Sequence, residues 1–544
     1  MKKLFALTAL SIVVFSGCKL WPFGSSSSTE SALPKDSQYV VTIDYSNGEQ
    51  VKNTKKLFEM LPDYGLKQTI KDEIFSEDAL KKDGLNYEND ILPVLEGDFK
   101  VSISIDLSKV KDHFQNGGIV VAIYSSEGGK MRDILAKKKA KDVFYGNDGN
   151  IFVFSSTQAE VDGALKRIKD GNGFSINENF KNASKNSTGN IGYVYFETGD
   201  GVKNFISGLG YDESTLANLN ERMNVLKDVY IEIFAKEDGF GLGGFANLTS
   251  DNDLVAKNMP YFGKKLSLFE KIPLENPIVY WEMPNVGQYI ENFIPDFAGI
   301  SKDEAHGILQ SQFAFAVGDS GEKYPTISLY LDVNEKYAGA AKKMIGALDA
   351  YVDAVIKEFE GMINVKGAVR KDINVVKGGG LNKLYIDFSA VPDELLANFN
   401  LIPGLDLKKM KIEIYYGLTG DNVLTVALYP EFNKVYGENI IGNDKDVLSS
   451  FEKNEKNSFD VVFFSPEKLI NFVDTNYYKV AKDYGILTSE YEKNYALLKQ
   501  TMQVLKYFVY SSSMPANDKV LFNAFLKLQE LQKNNAIEKV KEGK

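Results

Sequence analysis

Phe99-Lys100-Val101-Ser102-Ile103-Ser104-Ile105-Asp106-Leu107 alternates apolar and polar residues without a fault. Successive side chains of a strand point to opposite faces, so the pattern predicts a strand with one buried and one wet face, the mark of an antiparallel sheet. Ile327-Ser328-Leu329-Tyr330-Leu331-Asp332-Val333 repeats it in the second half of the chain. The two stretches, 99–107 and 325–333, are therefore expected to be equivalent strands.

Four more segments share an apolar strand that runs into a turn or helix cap. They are Tyr39-Val40-Val41-Thr42-Ile43-Asp44-Tyr45, Ile191-Gly192-Tyr193-Val194-Tyr195-Phe196, Pro277-Ile278-Val279-Tyr280-Trp281-Glu282 and Phe459-Asp460-Val461-Val462-Phe463-Phe464. Helix starts follow at Val202-Lys203-Asn204-Phe205-Ile206, Val286-Gly287-Gln288-Tyr289-Ile290 and Leu469-Ile470-Asn471-Phe472-Val473. Residues 39 and 277 are 238 apart and residues 191 and 459 are 268 apart, so the units pair into two long modules, and gene duplication is the simplest account. The expected fold is α+β: two tandem duplicated modules at 38–272 and 276–530, each a mainly antiparallel twisted sheet with helices packed on one face. Pro273 to Pro277 is the expected boundary, and 531–544 reads as a polar C-terminal tail. The longest expected helix, 335–362, carries a stripe of Tyr337, Ala341, Ile345, Leu348, Val352, Val355 and Phe359, with Asn334 as its N-cap. Its counterpart near Met131 to Lys138 is shorter.

The N-terminus has a charged start, Met1-Lys2-Lys3, and then a run from Leu4 to Phe15 that is apolar apart from Thr8 and Ser11. A run of about 12 residues falls short of the roughly 20 that a membrane-spanning helix needs, so residues 1–17 read as a signal peptide. Phe15-Ser16-Gly17-Cys18 resembles the bacterial lipobox, with Phe15 where leucine is usual. That resemblance implies diacylglycerol on the Cys18 sulfur and cleavage before it. Cys18 is the only cysteine of 544 residues, which leaves no disulfide framework for it to join. Residues 18–37, with Trp21, Phe23 and a serine run at 25–28, are expected to form a flexible tether behind the lipidated cysteine. The expected location is the cell envelope, anchored to the outer membrane or to the outer face of the cytoplasmic membrane.

The full chain carries a net charge of −11, which becomes −13 once Lys2 and Lys3 leave with the signal. Nucleic acid is disfavoured as a partner, because phosphate neutralisation needs a basic surface. An acidic body is also repelled by anionic headgroups, so the lipid on Cys18 supplies the membrane affinity.

Leu33-Pro34-Lys35-Asp36-Ser37 leading into Tyr39, Ile91-Leu92-Pro93-Val94-Leu95-Glu96-Gly97-Asp98 leading into Phe99, and Gly149-Asn150-Ile151-Phe152-Val153-Phe154-Ser155 leading into a helix at Gln158 carry a further resemblance. The first half of the chain resembles an uncharacterised domain-of-unknown-function family of secreted or membrane-anchored bacterial proteins. These motifs are structural turns, and the resemblance implies no activity.

Several short motifs invite chemistry. Gly318-Asp319-Ser320-Gly321 copies the surroundings of a serine-protease nucleophile, but His113 and His306 are the only histidines, and a hairpin turn needs the same residues. Gly239-Phe240-Gly241-Leu242-Gly243-Gly244 follows a turn with no helix opening after it, so it reads as a strand with close backbone approach, not a phosphate loop. Asp170-Gly171-Asn172-Gly173 begins like a calcium loop, yet Phe174 and Lys181 stand where oxygen ligands belong. No catalytic, cofactor-binding or metal residue is predicted, and the one predicted site residue is Cys18.

The 35 Phe and 29 Tyr crowd the strands, where they either pack a core or line a cavity for a lipid ligand. The leading expectation is a non-catalytic binding or scaffold lipoprotein for an envelope protein or an apolar ligand. The alternative is a hydrolase-type enzyme using carboxylates not visible as a motif.

Overall fold

A computed structural model describes residues 28–530 apart from 63–79, 81–83, 113–116, 138–142, 185–188, 199–224, 250–265, 285–298, 322–323, 364–365, 377–379, 397–406, 430–431, 433–440, 452–457, 484, 486 and 517. The protein is α+β, with eighteen described strands that pair antiparallel in the registers below. The chain forms two compact units, Met1–Met259 with Pro515–Asn523, and Pro260–Met514 with Ala524–Lys544. The division falls near residue 260, not at the prolines 273–277. The stretch before those prolines belongs to the second unit's core, where Leu268, Ile272 and Leu274 are buried.

In the first unit, the central strand β1 (Tyr39–Asp44) lies between β2 (Phe99–Ile105) and β6 (Gly192–Glu197). Outward from β2 follow β3 (Ile119–Ser125), β5 (Ile151–Ser155) and β4 (Phe144–Asp148). Outward from β6 follow β7 (Leu226–Lys236) and β8 (Gly239–Leu248). Residues 515–523 belong with this unit, and the Leu248 N–H donates to the Asp518 carbonyl at 2.7 Å.

Both faces of this sheet are covered, which corrects the expectation of helices on one face. Val120 and Ala122 join a core with Val40, Tyr193 and Tyr195, whereas Ile119 and Val121 join a different core with Phe99, Val101 and Ile103. Neighbours along a strand point to opposite faces, so these are two layers. Helix α1 (Gly48–Met60) packs Val51 on the second layer, and α3 (Gln158–Asp170) packs Ala164 and Leu165 on the first, with α2 (Gly128–Lys137) between β3 and β4. The serines of β2 explain the misreading. Ser102 accepts or donates to Thr29 at 2.6 Å and Thr42 at 2.9 Å, and Ser104 meets Ser37 at 2.7 Å. Paired hydroxyls are satisfied without water, so the face that reads as wet is buried.

Two of those partners, Thr29 and Ser37, come from the stretch expected to be tether. A 3-10 turn, Thr29–Ala32, presses onto the sheet, and Ala32 and Leu33 are fully buried. The Phe174 N–H donates to the Leu33 carbonyl at 3.0 Å and Arg167 Nε to the Ala32 carbonyl at 2.9 Å. From Thr29 onward, the expected tether is part of the folded unit.

In the second unit, β9 (Pro277–Met283) is central, between β10 (Gln312–Gly318) and β16 (Ser458–Phe464). From β10 the order continues through β11 (Thr326–Asp332), β15 (Val423–Leu428), β14 (Lys411–Leu418), β13 (Gly380–Asp387) and β12 (Val369–Asp372). On the other side, β16 pairs with β17 (Leu505–Ala516), which the chain follows with β18 (Lys519–Leu528). Here too Tyr330 and Leu331 enter different cores on opposite faces, so helices again reach both sides.

The pairing changes one expected equivalence. β2 touches its unit's central strand, whereas 326–332 lies one strand further out and β10 holds the matching position. Alternation marks a strand, and several strands of one sheet share it. The long helix is present as a 3-10 turn Glu335–Tyr337 followed by α5 (Ala338–Ile363), behind α4 (Lys302–Leu309). Asn334 caps it, accepting from the Lys336 N–H at 3.0 Å. Ala341 and Ile345 are buried, Leu348, Val352 and Phe359 are half-buried and Val355 is 43% exposed, so the stripe packs most closely in its first turns.

Candidate functional site

At one end of the first unit's sheet, three polar residues stand in register across β6, β7 and β8: Glu197 opposite Asp228, and Asp228 opposite Asn247. One step inward on the same face lie Tyr195, Tyr230 and Phe245, with the Tyr230 and Phe245 rings stacked at 5.9 Å. The aromatics close the core, and the polar row is left at its rim. A short helix, Glu178–Ser184, brings Asn179 and Asn182 over the row. Asn177 holds the start of that helix by accepting from the Phe180 N–H at 2.9 Å, and Phe180 anchors it against Phe174 at 4.7 Å and Tyr193 at 5.2 Å. Asp518 and Lys519 complete the rim, with the lysine Nζ 4.3 Å from the Phe245 ring centre. Together these elements enclose an open pocket of about 560 Å³.

Burial raises the Asp228 carboxyl above the usual carboxylate range, and Glu197 adds to the effect. Asn247, donating to Asp228 Oδ1 at 2.8 Å, and the ammonium groups of Lys227 and Lys519 oppose it. Glu197 accepts from Tyr195 Oη at 2.5 Å and from Asn179 Nδ2 at 3.3 Å. Burial and then Glu197 hold the Tyr195 phenol protonated, well above its ordinary range. The site therefore offers fixed amide and carboxylate edges with balancing cations at the mouth.

Each unit also buries a carboxylate beneath the 3-10 turn that precedes its central strand. Glu30, on the turn itself, lies 2.9 Å from Lys100 Nζ and accepts from Tyr193 Oη at 3.0 Å. Glu282, on β9, accepts from the N–H groups of Ser267 at 2.9 Å and Leu268 at 2.8 Å, from Gln312 Nε2, and from Tyr280 Oη. Burial pushes Glu282 up to about 7, against the pull of these hydrogen bonds. For Glu30 burial also raises the carboxyl, but the charge and hydrogen bond of Lys100 overcome it and leave the group below its usual value.

Gly318-Asp319-Ser320-Gly321 is a hairpin connection between β10 and β11, closed by the Gly321 N–H on Asp319 Oδ1 at 2.8 Å, with Gly321 at φ +81°. Ser320 Oγ is buried without a hydrogen bond to any described residue, and the His306 ring meets Gln310 Nε2 at 3.0 Å, so no serine–histidine pair forms between them. Gly239 to Gly244 lie in β8, where a Cβ on Gly241 would stand 2.0 Å from the Phe234 ring. Gly171 ends α3 in the left-handed region at φ +63°, and the Asn172 N–H returns to the Arg167 carbonyl at 3.1 Å, so Asp170 to Gly173 form a helix cap. Among the described residues, no group of three or more His, Cys, Asp or Glu is placed to hold a metal ion. His113, Trp21, Phe23 and Cys18 lie outside the described residues.

Sequence reading missed the pocket, whose parts come from residues 179, 228, 247 and 518. One signal was legible: a tyrosine two residues from an acid on a strand. Tyr195 with Glu197, Tyr280 with Glu282, Tyr385 with Asp387 and Tyr415 with Glu413 each form the hydrogen bond that this spacing allows on one strand face.

The chain matches no known family model, no curated protein and no solved structure.

Proposed function

We propose that the chain is a lipoprotein of the bacterial envelope, held at a membrane through lipid on Cys18, whose body binds a ligand or partner without transforming it. The membrane is the outer membrane or the outer face of the cytoplasmic membrane. The charged start, short apolar run and lone cysteine of the N-terminus support the anchor. With the folded unit beginning at Thr29, the tether is the stretch 18–28, whose roughly ten residues give a reach of about 18 Å. The body then stays near the surface, which raises its effective concentration toward partners anchored there.

The duplication belongs to the same reading. Strand order 4-5-3-2-1-6-7 in the first unit parallels 14-15-11-10-9-16-17 in the second, with a helix after the third strand of each, α2 and α5. The β12–β13 hairpin is the second copy's addition. Such a shared order is the expected trace of one module copied.

The observation that carries the binding reading is the polar pocket, in which Asp228 has a donor already seated from Asn247, Asn179 is held by Glu197 beyond the lining, and Lys227 and Lys519 stand in the wall. Burial raises Asp228 while the Asn247 amide, Lys227 and Lys519 pull the other way, so the carboxylate is held by fixed partners on its own strand row. Cys18→Ala tests the anchor: the variant should fail to take up acyl label and should leave the membrane fraction. Normal fractionation and labelling of that variant would contradict it. Incubating purified protein with ester, peptide and glycoside substrates tests the rest, and turnover lost on Asp228→Asn with the fold intact would turn the reading to an enzyme.

A further inference from the structure

We propose that the pocket over Asp228 and Asn247 takes a neutral, hydroxyl-rich ligand, a saccharide of one or two residues. This deepens the binding reading above and rests on it. The volume, about 560 Å³, lies within the range of roughly 300–1,000 Å³ typical of small-molecule sites. The charges around it balance: Asp228 and Asp518 against Lys227 and Lys519. With the lining charges balanced, no cluster of one sign is left for an ionic ligand to pair with. What remains for recognition is a set of amides, Asn179, Asn182 and Asn247.

Adjacent hydroxyls of a sugar present a donor and an acceptor side by side. An asparagine edge presents the complementary pair: with one N–H of Asn247 on Asp228 and one of Asn179 on Glu197, each amide has a second N–H and a carbonyl to offer. Asp228 is fixed by Asn247 through Oδ1 and by its place in the β7 register, so its geometry is set before a ligand arrives. Asn179 is held likewise by Glu197. Fixed polar groups lose little freedom on binding, and that favours a ligand whose own contacts are individually weak.

The test is titration of the intact soluble body, residues 19–544, with maltose, cellobiose and N-acetylglucosamine, and separately with glucosamine and glucuronate. Heteronuclear NMR reads the shifts, and released reducing ends are assayed in the same samples. Saturable binding of a neutral sugar, with shifts at Asn179 and Asn247, is the expected result. Asn179→Ala, on the exposed helix, should weaken it by roughly tenfold, the loss of one or two hydrogen bonds, without moving the melting temperature. Asn247→Ala should weaken it further. Tighter binding of glucosamine or glucuronate, no binding of any neutral sugar at millimolar concentrations, or binding indifferent to both variants would overturn the proposal. Release of reducing ends would sustain the saccharide and overturn the non-catalytic reading, so the two failures are distinct.

Discussion

In the first unit, the buried carboxylate of Glu30 meets the Lys100 ammonium at 2.9 Å; in the second, that of Glu282 meets backbone N–H groups, an amide and a phenol instead. Both lie under the 3-10 turn that precedes the central strand, and both bridge that turn to the sheet. In the first unit the acid is on the turn, Thr29–Ala32, and reaches the strands; in the second it is on the strand and reaches the turn, Leu268–Glu270. The same joint is thus made once with a charge pair and once with neutral donors. A buried ion paired with a counter-ion stays ionised, whereas a buried acid held by dipoles alone sits closer to its neutral form. The consequence is opposite pH dependence. Glu30, held below its ordinary value, contributes stability that is present above that value and is lost as the pH falls through its own. Glu282, raised to about 7, contributes stability that is full below pH 4.5 and lost as the pH rises through 7.

The largest expected effect comes from breaking the charged joint. Lys100→Met leaves Glu30 buried without its cation and should cost about 3–5 kcal/mol at pH 7. Lys100 also lies 3.3 Å from Asp44 Oδ2, so adding Glu30→Gln should recover the Glu30 share of that loss and leave the Asp44 share, and denaturant unfolding of the two variants checks it. Equal losses in the single and double variants would mean that the pair is not the source of the stability.

Next in size is the neutral joint. Glu282→Gln keeps the acceptor for the turn and lets its own amide donate to Tyr280. It should stabilise the protein above pH 7 by up to about 3 kcal/mol and change nothing near pH 4.5. A gain that is the same at both pH values would show that the charge of Glu282 plays no part.

The two strands that opened the sequence reading give the third contrast. Ile103 of β2 is buried between helix and sheet, and Ile103→Ala should cost about 2–4 kcal/mol. Leu329 of β11 is 41% exposed, and Leu329→Ala should cost under about 1 kcal/mol. Comparable losses would mean that the outward face of β11 is covered in solution.

That contrast also locates what the sequence could tell. Period-2 alternation identified β2 and β11 as strands, and the Asn334 cap with its stripe identified the long helix. Which side of a strand is buried was not legible. In β2 the serines are buried because Thr29, Thr42 and Ser37 satisfy them; in β11 Ser328 is buried without a hydrogen bond to any described residue while Ile327 and Leu329 face outward, so there the register of the sheet and not a partner sets the buried face. No local pattern reveals either the partners or the register. Glu30 sits in a serine-rich leader that reads as linker, and its partner Lys100 is remote in sequence. The pocket was illegible for the same reason, since register across three strands brings Glu197, Asp228 and Asn247 into one row.

The smallest effect concerns the emergent end of α5. Val355→Ser, at an exposed position of the long helix, should move stability by no more than about 0.5 kcal/mol, whereas Ile345→Ala, near its packed start, should cost about 2 kcal/mol or more. Thermal melts of the two variants check it, and a large loss at Val355 would place that surface in an interface.

The most direct measurement is a carboxyl 13C NMR titration of the intact body, with Glu30 and Glu282 assigned by their glutamine variants. The opposed joints predict a midpoint of about 7 for Glu282 and one below the ordinary carboxylate range for Glu30. Two midpoints together near 4.5, or the reverse order, would contradict them.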